Sequence, residues 1–220
     1  MTISFLDTPE PPAAAEEIFD ADLAELGYVM NSSRLWAYQP ETFGGLLDLV
    51  GECVSAAGLT FRDRGILVAA CASALGDSYC SLAWGMKLAG AAGPEVAAGV
   101  LRGDDLRLTA REQALARWAR LLARDPNSTT AADVATLRDA GYSDAQIFAI
   151  TVFVALRLAL STANDALGAR PDAALRAGPS AVVDAVTFGR AIAPAADSTG
   201  VDEFEAGRAR SPAGAVTPPS

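Results

Sequence analysis

The stretch Phe61-Arg-Asp-Arg-Gly-Ile-Leu-Val-Ala-Ala-Cys-Ala-Ser-Ala-Leu-Gly-Asp-Ser-Tyr-Cys-Ser-Leu-Ala-Trp-Gly85 decides how the chain is read. From Gly65 to Leu75 it is nearly all apolar. A helix over Phe61–Leu75, capped by Thr60, is therefore expected to be buried or to lie in an interface. Gly76 breaks it. Asp77 then stands where an N-cap belongs, and a second helix is expected through Ala89 with Cys80 in its first turn.

The same punctuation extends outward from this hairpin. Upstream, Gly27 to Tyr38 fits a short helix. Pro40 opens another over Glu41 to Ala57, with Phe43, Leu46, Leu47, Val50 and Cys53 on one side and Gly58 as the stop. Downstream, Gly90 to Pro94 reads as a loop. Thr109-Ala-Arg-Glu112 is a capping box ahead of Ala114, Leu115, Trp118, Leu121 and Leu122. Thr130 and Asp133 begin a shorter helix that Gly141 ends. Ser143-Asp-Ala-Gln146 is a second capping box, opening a long apolar helix to Leu167. Its most apolar part, Ile147 to Leu160, is too short to span a bilayer and is interrupted by Arg157, so a buried core helix is expected. Ser180 to Ile192 reads as a last helix. No run alternates with period two and no tandem repeat is present, so the fold class is all-α. Residues 1–24 read as an N-terminal lead-in, extended over the Pro-, Ala- and Glu-rich part, 25–192 as one helical domain and 193–220 as a disordered tail.

Composition narrows the chemistry. The chain has 220 residues, 51% of them hydrophobic, enough for a sizeable core. Its net charge of −10 argues against binding a phosphate backbone. It contains no histidine, which excludes Ser-His-Asp and Cys-His catalysis, His-ligated zinc and a proximal-His haem. Lys87 is the one lysine and so the one candidate for Schiff-base chemistry. Cys53, Cys71 and Cys80 make an odd set with no secretory leader in view, and a reducing, cytoplasmic setting is expected. No phosphate loop and no carboxylate cluster of metal-ligand spacing is present, so neither cofactor nor metal is expected, and neither nucleic acid nor membrane as partner.

Three stretches together resemble the alkylhydroperoxidase AhpD-like/carboxymuconolactone decarboxylase family, nearest its peroxidase-related branch. They are Phe61 to Gly85, Leu108-Thr-Ala-Arg-Glu-Gln-Ala-Leu115, and Arg124-Asp-Pro-Asn-Ser-Thr-Thr-Ala-Ala-Asp-Val134 through Ala140-Gly-Tyr-Ser-Asp144 to Asn164-Asp-Ala-Leu-Gly168. The likeness covers roughly residues 25 to 170. It implies an AhpD-like helical domain that assembles as a homo-oligomer, and an enzyme acting on a small molecule.

The family's redox site is a Glu, eleven residues, Cys-x-x-Cys, three residues and a His. On this chain those positions hold Gly65, Asp77, Cys80 and Trp84. Tyr79 and Gly85 fit the surrounding family wording. In the family the second cysteine attacks the peroxide, its partner resolves the sulfenic acid, and the Glu and His relay the proton. Here only the attacking position is retained, so a standard two-cysteine peroxidase cycle is not expected.

Each candidate residue has two readings. Cys80 is a one-cysteine nucleophile or redox thiol, or an inert packed cysteine. Asp77 is an acid/base group, or an ordinary N-cap. Tyr79 donates a phenolic hydrogen bond to a substrate oxygen, or packs half-buried. Trp84, one turn after Cys80, walls a pocket for a flat or apolar ligand, or fills it. Arg157 shares a helix side with Ser161, Asn164 and Asp165. It clamps a ligand carboxylate, with Ser161 beside it, or makes a structural ion pair, within the chain or across subunits, and the sequence favours the ion pair. The function expected is a small-molecule enzyme with a pocket reshaped around Cys80. Its chemistry is one-cysteine thiol redox or acid/base work on a carbonyl compound. The alternative is a non-catalytic binding or assembly paralogue.

Overall fold

The computed structural model describes residues 3–7 and 13–195. These form ten α-helices, with no strand among the described residues: α1 Ala13–Leu26, α2 Asn31–Trp36, α3 Pro40–Ala57, α4 Phe61–Leu75, α5 Ser78–Ala92, α6 Pro94–Arg102, α7 Ala110–Arg124, α8 Ala131–Asp139, α9 Asp144–Ala166 and α10 Ser180–Ala185. The expected all-α class holds.

The apolar α4 sits at the centre, with Gly65 to Ala72 buried and α5, α6, α7 and α9 packed around it. Thr60 and Asp63 close a capping box at its start. Gly76, at φ +85°, lets the chain reverse into α5. Gly65 brings α5 close: a Cβ there would meet the Leu88 side chain at 3.1 Å. Glu112 closes the box of α7 with Thr109 and also accepts from Arg62 Nε at 2.5 Å, so the starts of α4 and α7 are tied by one carboxylate. Burial tends to raise its pKa, but the Arg62 and Thr109 hydrogen bonds outweigh that and hold it below the usual range. Helices α3 and α4 meet at a 120° bend at Gly58, and α3 then lies along α9.

Five expectations are corrected. Part of the supposed lead-in is structured. Ala13 to Leu26 is helical, burying Ala15 and Phe19 with Val29 and Ala37, and Phe5 N donates to the Leu167 carbonyl at 2.8 Å. The loop expected at Gly90 to Pro94 shrinks to Gly93, whose φ of +94° is the break, and Pro94 starts α6. The last helix stops at Ala185. Beyond it Gly189, at φ +70°, lies on the start of α5, and Ser78 Oγ both donates to the Arg190 carbonyl and accepts from Arg190 N. Those tertiary bonds replace the helical ones expected to Ile192. Finally, α9 is buried on one side only. It is long and apolar enough to cross a bilayer, with a mean hydropathy of 1.7, yet it packs on α3, α4 and α7 through Ile147, Ile150, Phe153 and Val154. Its Phe148 is 72% exposed. Of the expected disordered tail, Ala193 is buried and donates to the Pro171 carbonyl, and residues 196–220 lie outside the described residues.

Candidate functional site

Asp77 is fully buried and caps α5 as expected, its Oδ1 accepting from Cys80 N at 2.9 Å. Its other oxygen, Oδ2, is buried without a hydrogen-bond partner. The cap holds Cys80 in the first turn of α5, and the sulfur faces the middle of α9. There Arg157 Nη2 approaches Sγ at 3.9 Å. Burial raises the Cys80 pKa above the usual thiol range, and the Asp77 carboxylate adds to that. The Arg157 guanidinium and the Ser161 hydroxyl pull partly the other way. At neutral pH the thiol therefore keeps its proton.

One turn along α5, the Trp84 indole forms a half-buried wall. The Arg157 guanidinium lies 5.2 Å from its ring centroid and Lys87 Nζ lies 5.4 Å from it. Cys80, Trp84 and Arg157 border one cavity of about 470 Å³. Its remaining walls come from α1 (Ile18, Ala21, Asp22), α2 (Ser33, Trp36), α3 (Phe43, Leu47) and α9 (Leu160, Asn164). Trp36 is held in place by its Nε1–H, which donates to Asn164 Oδ1 at 3.0 Å, and its ring lies 5.3 Å from that of Phe43. A wider groove of about 610 Å³ runs between α7 and α8. Its Arg117 and Arg120 are ion-paired to Asp133 and Asp105, and it contains no thiol.

The structure therefore brings Cys80, Trp84 and Arg157 to one cavity and places Asp77 behind them. It places the other two candidates differently. Ser161 is buried beneath the sulfur rather than in the cavity lining. The Tyr79 ring borders the cavity, but the residue is 2% exposed. Its hydroxyl donates to Asp172 Oδ2 at 2.5 Å and accepts from Ser32 N at 3.1 Å. Burial and the neighbouring Asp172 carboxylate raise its pKa well above the usual phenol range. Its hydroxyl thus ties α5 to the start of α2 and to the segment after α9, instead of being free for a substrate. Asp172 also accepts from Asn31 N at 2.7 Å.

The ion pair favoured for Arg157 is not made among the described residues. No carboxylate lies within ion-pair distance of it among the described residues, and its Nε is buried without a hydrogen-bond partner. Gly65, at the family's Glu position, faces Leu88, one turn past Trp84 from Cys80. Cys53, Cys71 and Cys80 are all free thiols. Cys71 is buried in the core, and burial lifts its pKa to about 12. Among the described residues no group of three or more Cys, Asp or Glu is placed to hold a metal ion.

Sequence reasoning missed the roof of the cavity. Trp36 offered a signal, as one of three tryptophans in an aromatic-poor chain, whereas Ile18 and Ala21 offered none.

No protein-family model and no curated protein matches the sequence. Solved structures do match. One is the alkylhydroperoxidase AhpD core of an uncharacterized peroxidase-related protein from Ralstonia eutropha JMP134, at 21% identity and a TM-score of 0.66 over 80% of this chain and 95% of that one. A second is an uncharacterized peroxidase-related protein from Silicibacter sp. TM1040, at 20% identity and a TM-score of 0.73 over 81% and 96%. A third is the debrominase Bmp8, at 16% identity and a TM-score of 0.64 over 84% and 98%. A cysteine-to-alanine variant of Bmp8 in complex with 2,3,4-tribromopyrrole also matches, at 17% identity and a TM-score of 0.63 over 84% and 97%. The chain thus has the AhpD-like helical fold, as its sequence resemblance implied.

Proposed function

We propose that this chain is a small-molecule enzyme whose reactive group is the Cys80 thiol, working without a second cysteine. The observation that carries the reading is the placement of Cys80 in the wall of an open cavity, with a guanidinium on its sulfur and an indole beside it. Arg157 and Ser161 favour the thiolate and Asp77 opposes it, so the thiol gives up its proton to solvent or substrate only as substrate enters the cavity. The thiolate then serves as nucleophile or redox group. A flat, apolar substrate suits the walls of Trp84, Trp36 and Phe43. The complex of the Bmp8 variant with a tribromopyrrole supports a scaffold able to hold such a molecule. With Asp77 where the family has its resolving cysteine, the dithiol peroxidase cycle is left out.

We also propose a homo-oligomer. Leu49 and Phe148 are 50% and 72% exposed on the paired helices α3 and α9, and a second copy would cover them.

One observation favours the non-catalytic reading: Cys80 itself is only 5% exposed. Labelling separates the two. In a Cys53→Ser, Cys71→Ser background, a small apolar thiol reagent should modify Cys80 in the folded protein, and Cys80→Ala should abolish the modification. Labelling that occurs only on global unfolding would leave the binding or assembly paralogue. The same background given an organic hydroperoxide and a dithiol reductant should show no robust turnover.

A further inference from the structure

Resting on that reading of the cavity, we infer that its ligand is an organic carboxylate: a planar, apolar body whose carboxylate seats on Arg157 beside the Trp84 indole.

The argument begins with charge. The charged groups bordering the cavity are Glu17, Asp22, Glu25, Lys87 and Arg157, while burial raises the pKa of Cys80 and of Tyr79 and keeps both neutral. Lys87 is paired to Glu25 at 3.1 Å. Asp22 accepts from Met30 N at 2.9 Å, and burial pushes its pKa up. Arg157 has no such partner. Its Nη2 meets a neutral sulfur, its Cζ lies 5.2 Å from the Trp84 ring centroid, and its Nε is buried without an acceptor. A half-buried guanidinium whose Nε is shut off from water without an acceptor is costly to leave unpaired, so the site is suited to an anion that lands on Arg157.

The donor geometry narrows that anion. A guanidinium offers parallel N–H groups that match the two oxygens of a carboxylate. The remaining volume narrows the body. Trp84, Trp36 and Phe43 present ring surfaces, Leu47 and Leu160 add aliphatic ones, and about 470 Å³ accommodates a one- or two-ring molecule. The thiol fits the same picture. A neutral Cys80 can lie beside a bound carboxylate, whereas a resident thiolate would compete with it for Arg157.

The test compares shape-matched anions and neutral amides: 1-naphthoate with 1-naphthamide, and benzoate with benzamide. Binding is measured by calorimetry on the full chain. The carboxylate of at least one pair should bind at least tenfold more tightly than its amide. Arg157→Met should bring the two within about twofold while leaving the thermal midpoint near that of the wild type. Equal binding of acid and amide to the wild type overturns the carboxylate proposal and leaves the cavity reading standing. Retention of the preference in Arg157→Met also overturns it. If Arg157→Met fails to fold, Arg157→Lys decides, because it keeps the charge and removes the fork. The preference should then fall, and an unchanged preference overturns the proposal. If none of the four compounds binds, or slows alkylation of Cys80, the proposal and the cavity reading fall together.

Discussion

Arg157 Nη2 lies 3.9 Å from Cys80 Sγ, joining residues 77 positions apart. The contact sets the middle of the longest helix against the first turn of α5, and it gives the buried sulfur a positive neighbour to balance the carboxylate of Asp77. The two charges act on the thiol in opposite senses, so each can be removed separately and read at the sulfur.

Asp77→Asn keeps a capping oxygen but removes the negative charge that raises the Cys80 pKa. Alkylation of Cys80 at pH 8 to 9 should become faster, with little change in stability. Asp77→Ala should instead cost about 1 kcal/mol through loss of the cap. Denaturant melts and alkylation rates on both variants check the pair. Equal rates in the wild type and Asp77→Asn would remove Asp77 from the thiol's environment.

Helix α1 roofs the cavity; beside the packing of Ala15 and Phe19 on Val29 and Ala37, its polar ties to the rest include the Asp22 bond to Met30 N and the exposed Lys87–Glu25 pair. Exposed pairs contribute little to global stability. The double variant Asp22→Ala, Glu25→Ala should therefore raise the labelling rate of Cys80 several-fold while the main unfolding transition stays in place. An unchanged labelling rate would mean that ligands reach the thiol by another route.

Tyr79→Phe removes the donor to Asp172 and the acceptor of Ser32 N, both buried. Stability should fall by about 1–3 kcal/mol, the cost of leaving such groups unsatisfied. Binding in the cavity and labelling of Cys80 should persist. A variant that is as stable as the wild type but inert towards ligands would assign the phenol to chemistry instead.

Asp165 is half-buried beside Asp77, and burial followed by that neighbour raises its pKa to about 6 against the restraining Arg190. A carboxylate with a raised folded pKa adds stability that is fully present below the unfolded value near 3.8 and is lost as pH rises through about 6. Asp165→Asn should thus gain on the wild type as pH climbs from 4 to 6.5, with the gap constant above that. A gap that does not change with pH would contradict the assignment.

Much of the helical frame was legible because local signals and global packing agree there. Thr60, Asp77, Thr109, Thr130 and Ser143 each cap the helix expected of them. The all-apolar run after Gly65 lies at the centre of the core. The misses follow where tertiary contacts decide. Helix α1 has a weak amphipathic pattern, and its role as a roof depends on Phe19 meeting Val29 and Ala37. The end of α10 is set by Ser78, more than a hundred residues upstream. The lack of a carboxylate at Arg157 could not be read at all, since periodicity places a charge on a helix face but says nothing of what another helix brings to it.

Tyr79 and Cys80 are neighbours in sequence, and successive helical residues point about 100° apart. One therefore reaches Asp172 and Ser32, while the other reaches Arg157. This adjacency makes the opening of α5 intolerant of a single-residue insertion or deletion ahead of it. An insertion would aim the phenol at the guanidinium, and a deletion would bury the thiol among groups that need a hydroxyl. The count of residues between Gly76 and Cys80 is therefore as much a part of the site as the side chains themselves.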